Sequence, residues 1–245
     1  MKILILGAGK IADYLISKNP NWDFIAIRRT QQNYPDNVIQ CPMHITADRI
    51  EEFDSFECDW LIYMPKTLSA SNDSYKYAYI ELPERIAKLK IKNKLFISST
   101  RVFNGYKNII VDENTLPKPN DSAAKLIAKF EKQITHSKNN RLLRLSGIVN
   151  NESNFIKAVL NKAKHEVIKN KFINAIHIED VIEIIQKILN TSITSQIING
   201  VLPSSEKYSD LSTCIENNDP VNANVQSIQY NSSYDFKYRD IKSLL

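Results

Sequence analysis

Short apolar runs alternate along this chain with longer stretches in which apolar residues recur every three or four positions. Six runs read as strands: Lys2–Leu6, Phe24–Ile27, Val38–Cys41, Trp60–Met64, Leu95–Ser98 and Leu142–Leu145. Their apolar residues are consecutive rather than alternate, so both strand faces must be covered, as when helices flank a parallel sheet on two sides. Between them, Ile11, Leu15 and Ile16 form one helical stripe, and Leu126, Ile127, Phe130 and Ile134 another. Tyr75, Tyr79, Leu82 and Ile86 form a third, which Pro83 should bend. This alternation predicts βαβ units and an α/β fold. After residue 150 the pattern loosens. Phe155–Lys164 and Val181–Leu189 read as helices, the second with Asp180 as N-cap, and Gln196–Val201 reads as a further strand.

The first strand runs straight into Gly7-Ala8-Gly9-Lys10-Ile11-Ala12, a match to G-x-G-x-x-G/A that opens the first helix. Here the first glycine makes the tight turn and the second lets a diphosphate approach the backbone. Ala12 packs helix on strand, and the helix N-terminus supplies free N–H groups and partial positive charge. Only five glycines occur in 245 residues, and two stand in this loop. The loop predicts a Rossmann-type, doubly wound parallel sheet over residues 1–150. A small mixed annex follows over 151–245, with the last sheet elements (176–200) interleaved. About 20 residues past the loop, where an acid would hold the ribose 2′-hydroxyl of NAD, stand Arg28-Arg29-Thr30. Guanidinium groups suit a 2′-phosphate. The expected cofactor is therefore NADP, with NAD the alternative, and Lys10 would add charge near the phosphates.

Charge and composition narrow the partners. The net charge of +5 comes from 32 basic and 27 acidic residues scattered without a like-charged block, which argues against a nucleic-acid surface and suits an anionic small molecule. Cys41, Cys58 and Cys214 are far apart and form no CxxC pair, so free thiols in a reducing, cytoplasmic setting are expected rather than a disulfide frame or zinc site. No segment approaches the ~18 apolar residues of a membrane span.

Further segments resemble the extended, epimerase/dehydratase-like branch of the short-chain dehydrogenase/reductase superfamily. Phe96-Ile97-Ser98-Ser99-Thr100-Arg101-Val102-Phe103-Asn104-Gly105 is similar to that branch's SST-x-VYG strand end. Val111-Asp112-Glu113-Asn114-Thr115-Leu116-Pro117-Lys118-Pro119 resembles its VDETTPPxP loop, and Leu143–Ile148 its LRLxGIYG strand. Ile176–Asp180 resembles its IHVDD segment, and Asp59–Pro65 with Tyr75 and Tyr79 is similar to an atypical sub-branch. The matches run in order over roughly residues 1–200. The resemblance implies that Met64, Pro65 and Lys66 line the nicotinamide-ribose side and that Ser98 and Ser99 approach the cofactor. Thr100 would take the place of the catalytic Ser/Thr, polarising a substrate carbonyl.

The family's Tyr-x-x-x-Lys pair is not reproduced. Anchoring the frame on Glu131 puts Ala123 and Ile127 at the two positions; sliding it so that Lys125 is the lysine puts Asp121 at the tyrosine. Ser122-Ala123-Ala124-Lys125 fits the atypical sub-branch, in which Lys125 would contact ribose or donate a proton. Tyr63, Tyr75, Tyr79 and Tyr106 are candidate replacement phenols, and Tyr106, after Gly105, would face the substrate. His177 titrates in the right range for a base, but its segment is structural in the family, and Asp112-Glu113 belong to a surface loop there.

Three readings follow, the third being an α/β protein that binds some other nucleotide. The first is an NADP-linked, epimerase/dehydratase-like or reductase-like enzyme acting on a carbonyl or hydroxyl of a small molecule, with sugar nucleotides the family's commonest substrates. The second is a dinucleotide-binding sensor or scaffold that kept the phosphate loop and lost the tyrosine. The short annex leaves a pocket that is either open or completed by a second subunit, as in a homodimer.

Overall fold

In the computed structural model, the structure describes residues 1–162, 169–213, 215, 221–229 and 236–245. The chain runs β1 (Lys2–Leu6), α1 (Lys10–Lys18), β2 (Asp23–Arg28), β3 (Val38–Pro42), a 3-10 segment (Ala47–Ser55), β4 (Trp60–Tyr63), α2 (Asn72–Lys76), a π-helical turn (Tyr77–Glu81), α3 (Leu82–Lys88) and β5 (Asn93–Ser99). A 3-10 turn (Thr100–Phe103), β6 (Ile110–Val111), α4 (Ser122–Ile134), β7 (Asn140–Leu145), β8 (Gly147–Val149) and α5 (Phe155–Lys162) follow. Then come β9 (Ala175–His177), α6 (Ile178–Leu189), β10 (Ile197–Gly200), α7 (Tyr208–Leu211), β11 (Asn224–Val225) and a last 3-10 turn (Lys242–Leu244). Residues 163 and 164 of the expected fifth helix, and Cys214, lie outside the described residues. Cys41 and Cys58 are free thiols. Among the described residues no helix is long and apolar enough to cross a membrane.

Seven strands form one sheet in the order β10-β7-β5-β4-β1-β2-β3, every pair parallel. The direction of growth reverses between β1 and β4, which opens a crevice at the carboxyl ends of those strands. Period-two alternation explains the two cores. Ile3 and Ile5 face α1 and α6, packing with Leu15, Ile16, Val181 and Ile185. Leu4 and Leu6 face the other side, with Tyr63, Phe96, Ile86 and Phe130. Each fully buried aliphatic side chain contributes about 1.5–3 kcal/mol, so these consecutive apolar runs act on both faces at once. The edge strand β3 departs from the two-sided expectation: Ile39 is 57% exposed, so one face of this strand meets solvent.

Pro83 acts as expected, with a specific geometry. Lacking an N–H, it cannot continue the helical ladder; the run from Asn72 to Lys88 widens into the π turn just ahead of it, and Pro83 occupies the first turn of α3. Annex residues Ile156, Ile173, Tyr208, Phe236 and Leu244 join the same core as β1 and α1, so the annex is built onto the sheet's core.

Candidate functional site

Gly7 closes β1 with φ 88, a left-handed conformation; a Cβ there would stand 2.4 Å from the Met64 carbonyl oxygen, at the end of β4. Gly9 differs. Its φ of −136 is open to any residue, and a Cβ would meet nothing nearer than the Gly7 carbonyl oxygen at 3.9 Å. Internal packing therefore does not require a glycine at 9. Gly9 is also the N-cap of α1 and offers no side chain to the helix's first N–H groups. Ala12 is fully buried at the helix–sheet contact.

In front of this loop lies a cavity of about 570 Å³, lined by Gly7 and Ala8, by Arg28, Arg29 and Thr30, by Met43, His44 and Ile45, and by Met64, Lys66 and Tyr77 among others. The segments that the sequence links to diphosphate, adenosine ribose and the β4 side thus meet in one space. Three cations line it and no carboxylate does. Met43–Ile45 is the part that sequence reasoning missed. The signal was available: β3 pairs with β2 in parallel, Arg28 opposite Pro42, so the residues after Pro42 must stand beside Arg29, and the Met43 N–H donates to the Arg28 carbonyl at 2.8 Å.

Two expected cofactor cations are engaged elsewhere. Arg28 is only 11% exposed and donates to Asp13 at 2.7 Å, which leaves Arg29 and Thr30 as the exposed members of their trio. Lys10 turns its ammonium to Glu152, 2.7 Å away, and both side chains are exposed. The Glu152 hydrogen bond raises the Lys10 pKa, and Lys10 holds Glu152 below the usual carboxylate value. Ile11 is half-buried behind Lys10, and Pro65 is half-buried beside Lys66.

The end of β5 forms a second group outside the cavity. Ser98 is buried and donates to Glu131 at 2.6 Å, so its hydroxyl faces α4 rather than the cleft; strand alternation turns Ser99 the other way. Ser99 caps the following 3-10 turn by accepting from the Arg101 N–H, and Thr100, half-buried, begins that turn. Asp121, the N-cap of α4, accepts from Arg101 Nη2 at 3.1 Å, Asn104 at 2.5 Å and the Ala124 N–H at 2.8 Å. Although burial opposes it, these bonds hold its carboxyl below the ordinary value, so it stays ionised as a cap and anchor. Lys125, one turn on, is exposed. Arg101 Nη1 also reaches the Tyr75 hydroxyl at 3.4 Å. Tyr106 donates to the Leu116 carbonyl at 3.0 Å, so its hydroxyl pins the 106–116 loop rather than pointing into open space. Tyr63 is likewise committed, to the Ala78 carbonyl.

Two other expectations are corrected. Glu113 does not sit on a surface loop: it is buried, accepting from the Asn199 and Ile228 N–H groups and from Ser227, and so ties the loop to β10 and the C-terminal segment. The N-cap of α6 is His177, whose Nδ1 accepts from the Glu179 N–H, because the helix starts three residues earlier than apolar spacing indicated. Asp180 therefore lies inside the first turn, where it is fully buried and accepts from the Lys237 N–H at 2.9 Å.

A seven-stranded parallel sheet with a glycine loop at the β1–α1 turn and a cationic cavity at the switch point defines a Rossmann-type α/β fold. No protein-family model matches the sequence, and no curated protein matches it by sequence. Solved structures do. The chain is similar to a candidate NAD-dependent epimerase/dehydratase from Methylobacillus flagellatus (TM-score 0.79, 19% identity, 99% of this chain and 95% of that one). It is also similar to the UDP-N-acetylglucosamine 4-epimerase of Methanobrevibacter ruminantium M1 in complex with UDP-N-acetylmuramic acid (0.74, 16%, 99% and 94%). A third is the human epimerase family protein SDR39U1 with NADPH (0.72, 14%, 100% and 97%). At these identities the likeness is one of fold, and the fold is the one the epimerase/dehydratase resemblance implied.

Proposed function

We propose that this chain is an epimerase/dehydratase-like member of the short-chain dehydrogenase/reductase superfamily that binds a nicotinamide dinucleotide, NADP in preference to NAD. The observation that carries this reading is the single cavity shared by Gly7–Ala8, Arg28–Thr30 and Lys66, cationic and free of carboxylates. The unneeded glycine at 9 and the uncapped start of α1 supply the cradle for a diphosphate. Arg29 and Thr30 would hold the 2′-phosphate, and Met64, Pro65 and Lys66 would line the nicotinamide-ribose side. When bound, the nicotinamide supplies hydride chemistry.

The chain's own contribution lies at the end of β5. Thr100 donates a hydrogen bond to a carbonyl oxygen of a small-molecule substrate, for which a sugar nucleotide is the leading class, and Lys125 moves the proton. Ser99 holds the backbone of that turn in place. A sensor or scaffold role is the second reading. It is favoured by the missing Tyr-x-x-x-Lys pair: in the frame that keeps Lys125, the phenol's position holds Asp121, an ionised cap that cannot donate a proton. Titration with NADPH and NADH by calorimetry, then incubation with UDP-sugars and simple carbonyl compounds, tests both. Tight NADPH binding with turnover supports the enzyme; tight binding without any turnover supports the sensor; no binding of either dinucleotide removes both.

A further inference from the structure

Three side chains, Asp13, Arg28 and Tyr34, tie down the loop that leaves β2. Arg28 Nη1 donates to Asp13 Oδ1 at 2.7 Å. The Tyr34 hydroxyl donates to the same carboxylate oxygen and also accepts from Arg28. The Arg28 guanidinium stands 5.6 Å from the centre of the Tyr34 ring. Burial first, then the hydrogen bond to Asp13, pushes the Tyr34 phenol up to about 12, so at neutral pH it keeps its proton and acts as donor. Asp13 lies one turn into α1, with its N–H on the Gly9 carbonyl at 2.9 Å. The segment from Arg28 to Tyr34 is thus a closed loop with both ends fastened to the phosphate-binding helix. Gln32 fixes its middle, its N–H donating to Gln40 on β3 at 2.8 Å. Arg29 and Thr30, between the fastenings, line the cavity.

We propose that Asp13, Arg28 and Tyr34 form a lock that presents Arg29 and Thr30 to the 2′-phosphate, which makes Asp13 and Tyr34 positioning residues for dinucleotide selection. The proposal rests on reading the cavity as a dinucleotide site. An exposed arginine on an unfastened loop would lose conformational freedom on binding a phosphate; a fastened one has lost it on folding. NADH has a neutral hydroxyl at that carbon, so the lock matters much less to it. The opposite arrangement, in which Asp13 competes with the phosphate for Arg28, predicts the reverse sign.

The test measures NADPH and NADH dissociation constants for the full chain at one ionic strength, comparing wild type, Tyr34→Phe and Asp13→Asn, together with the rate of protease nicking between 29 and 37. Both variants are expected to weaken NADPH about tenfold, equivalent to about 1.4 kcal/mol. NADH should change less than about twofold, since no charged group is involved there, and nicking should accelerate. An unchanged NADPH/NADH ratio, or tighter NADPH binding by Asp13→Asn, overturns the lock while leaving the dinucleotide reading intact. Wild-type protein that binds neither dinucleotide overturns both.

Discussion

Glu131 on α4 and Arg144 on β7 face each other at 2.8 Å with side chains only 4% and 3% exposed, directly under the turn that begins at Thr100. Ser98 donates to the same carboxylate, and the Arg144 guanidinium lies 5.0 Å from the Phe103 ring centre. The pair fastens β5, β7 and α4 together beneath the candidate catalytic hydroxyl. Removing one partner strands a buried charge, at a cost of about 3–5 kcal/mol. Arg144→Met should lower the unfolding free energy by that amount in urea titrations, and Arg144→Met with Glu131→Leu should recover most of it. A loss below about 1 kcal/mol for the single change would show that the pair does not hold this end of the sheet.

The two loop glycines should separate folding from binding. Gly7→Ala places a Cβ 2.4 Å from the Met64 carbonyl at positive φ, so it should destabilise the protein by at least about 1–3 kcal/mol. A Cβ at position 9 would meet only the Gly7 carbonyl oxygen, at an ordinary 3.9 Å, so the melting temperature of Gly9→Val should stay near wild type while NADPH binding disappears. Retained binding by Gly9→Val would place the diphosphate somewhere else.

Much of this was legible in the sequence, for a physical reason. Consecutive apolar strands and a glycine loop after the first of them report local geometry, and local geometry is what periodicity encodes. The side-chain partners of single residues were not legible. Nothing near Arg28 in sequence says that Tyr34 and Asp13 will converge on it, and nothing near Glu113 says that Ile228 will bring its N–H from 115 residues away. Ser98 and Ser99 look equivalent as a pair, and only strand alternation, with Glu131 on one side, gives them different jobs. The start of α6 is hard to read from the sequence because a histidine cap at 177 is a weaker signal than the aspartate at 180.

Arg29 and Arg28 should behave differently under substitution. Arg29 is exposed at the cavity rim, so Arg29→Ala should weaken NADPH about ten- to a hundredfold, about 1.4 kcal/mol for each factor of ten, while stability and NADH affinity barely move. Arg28→Ala removes a side chain that is 11% exposed and paired with Asp13, so it should lower the melting temperature as well as NADPH affinity. Calorimetric titration beside thermal melts distinguishes the two. Equal loss of NADH and NADPH in Arg29→Ala would remove the 2′-phosphate assignment.

The segment after residue 236 should respond to pH through two groups of opposite sign. Asp180 is fully buried beside Glu179 and Glu183, and burial pushes its carboxyl up from 3.8 to about 6 against the favourable N–H groups of Lys237 and Tyr238. Because the folded state binds that proton more tightly than the unfolded chain, Asp180 contributes stability that is complete below about pH 4 and is lost as pH rises through about 6, with a slope of up to about 1.4 kcal/mol per pH unit. His177, stacked 3.9 Å from Tyr238, is shifted down by burial. Its contribution is complete above its ordinary value of 6.5 and is lost as pH falls through the folded one. The wild-type profile mixes the two, so the informative quantity is the difference in unfolding free energy between wild type and Asp180→Asn. That difference should fall between pH 4 and pH 6 and then run flat above pH 7, as read from urea titrations at each pH. A difference flat across the whole range would mean that the two amides of the C-terminal segment fully compensate the buried carboxylate.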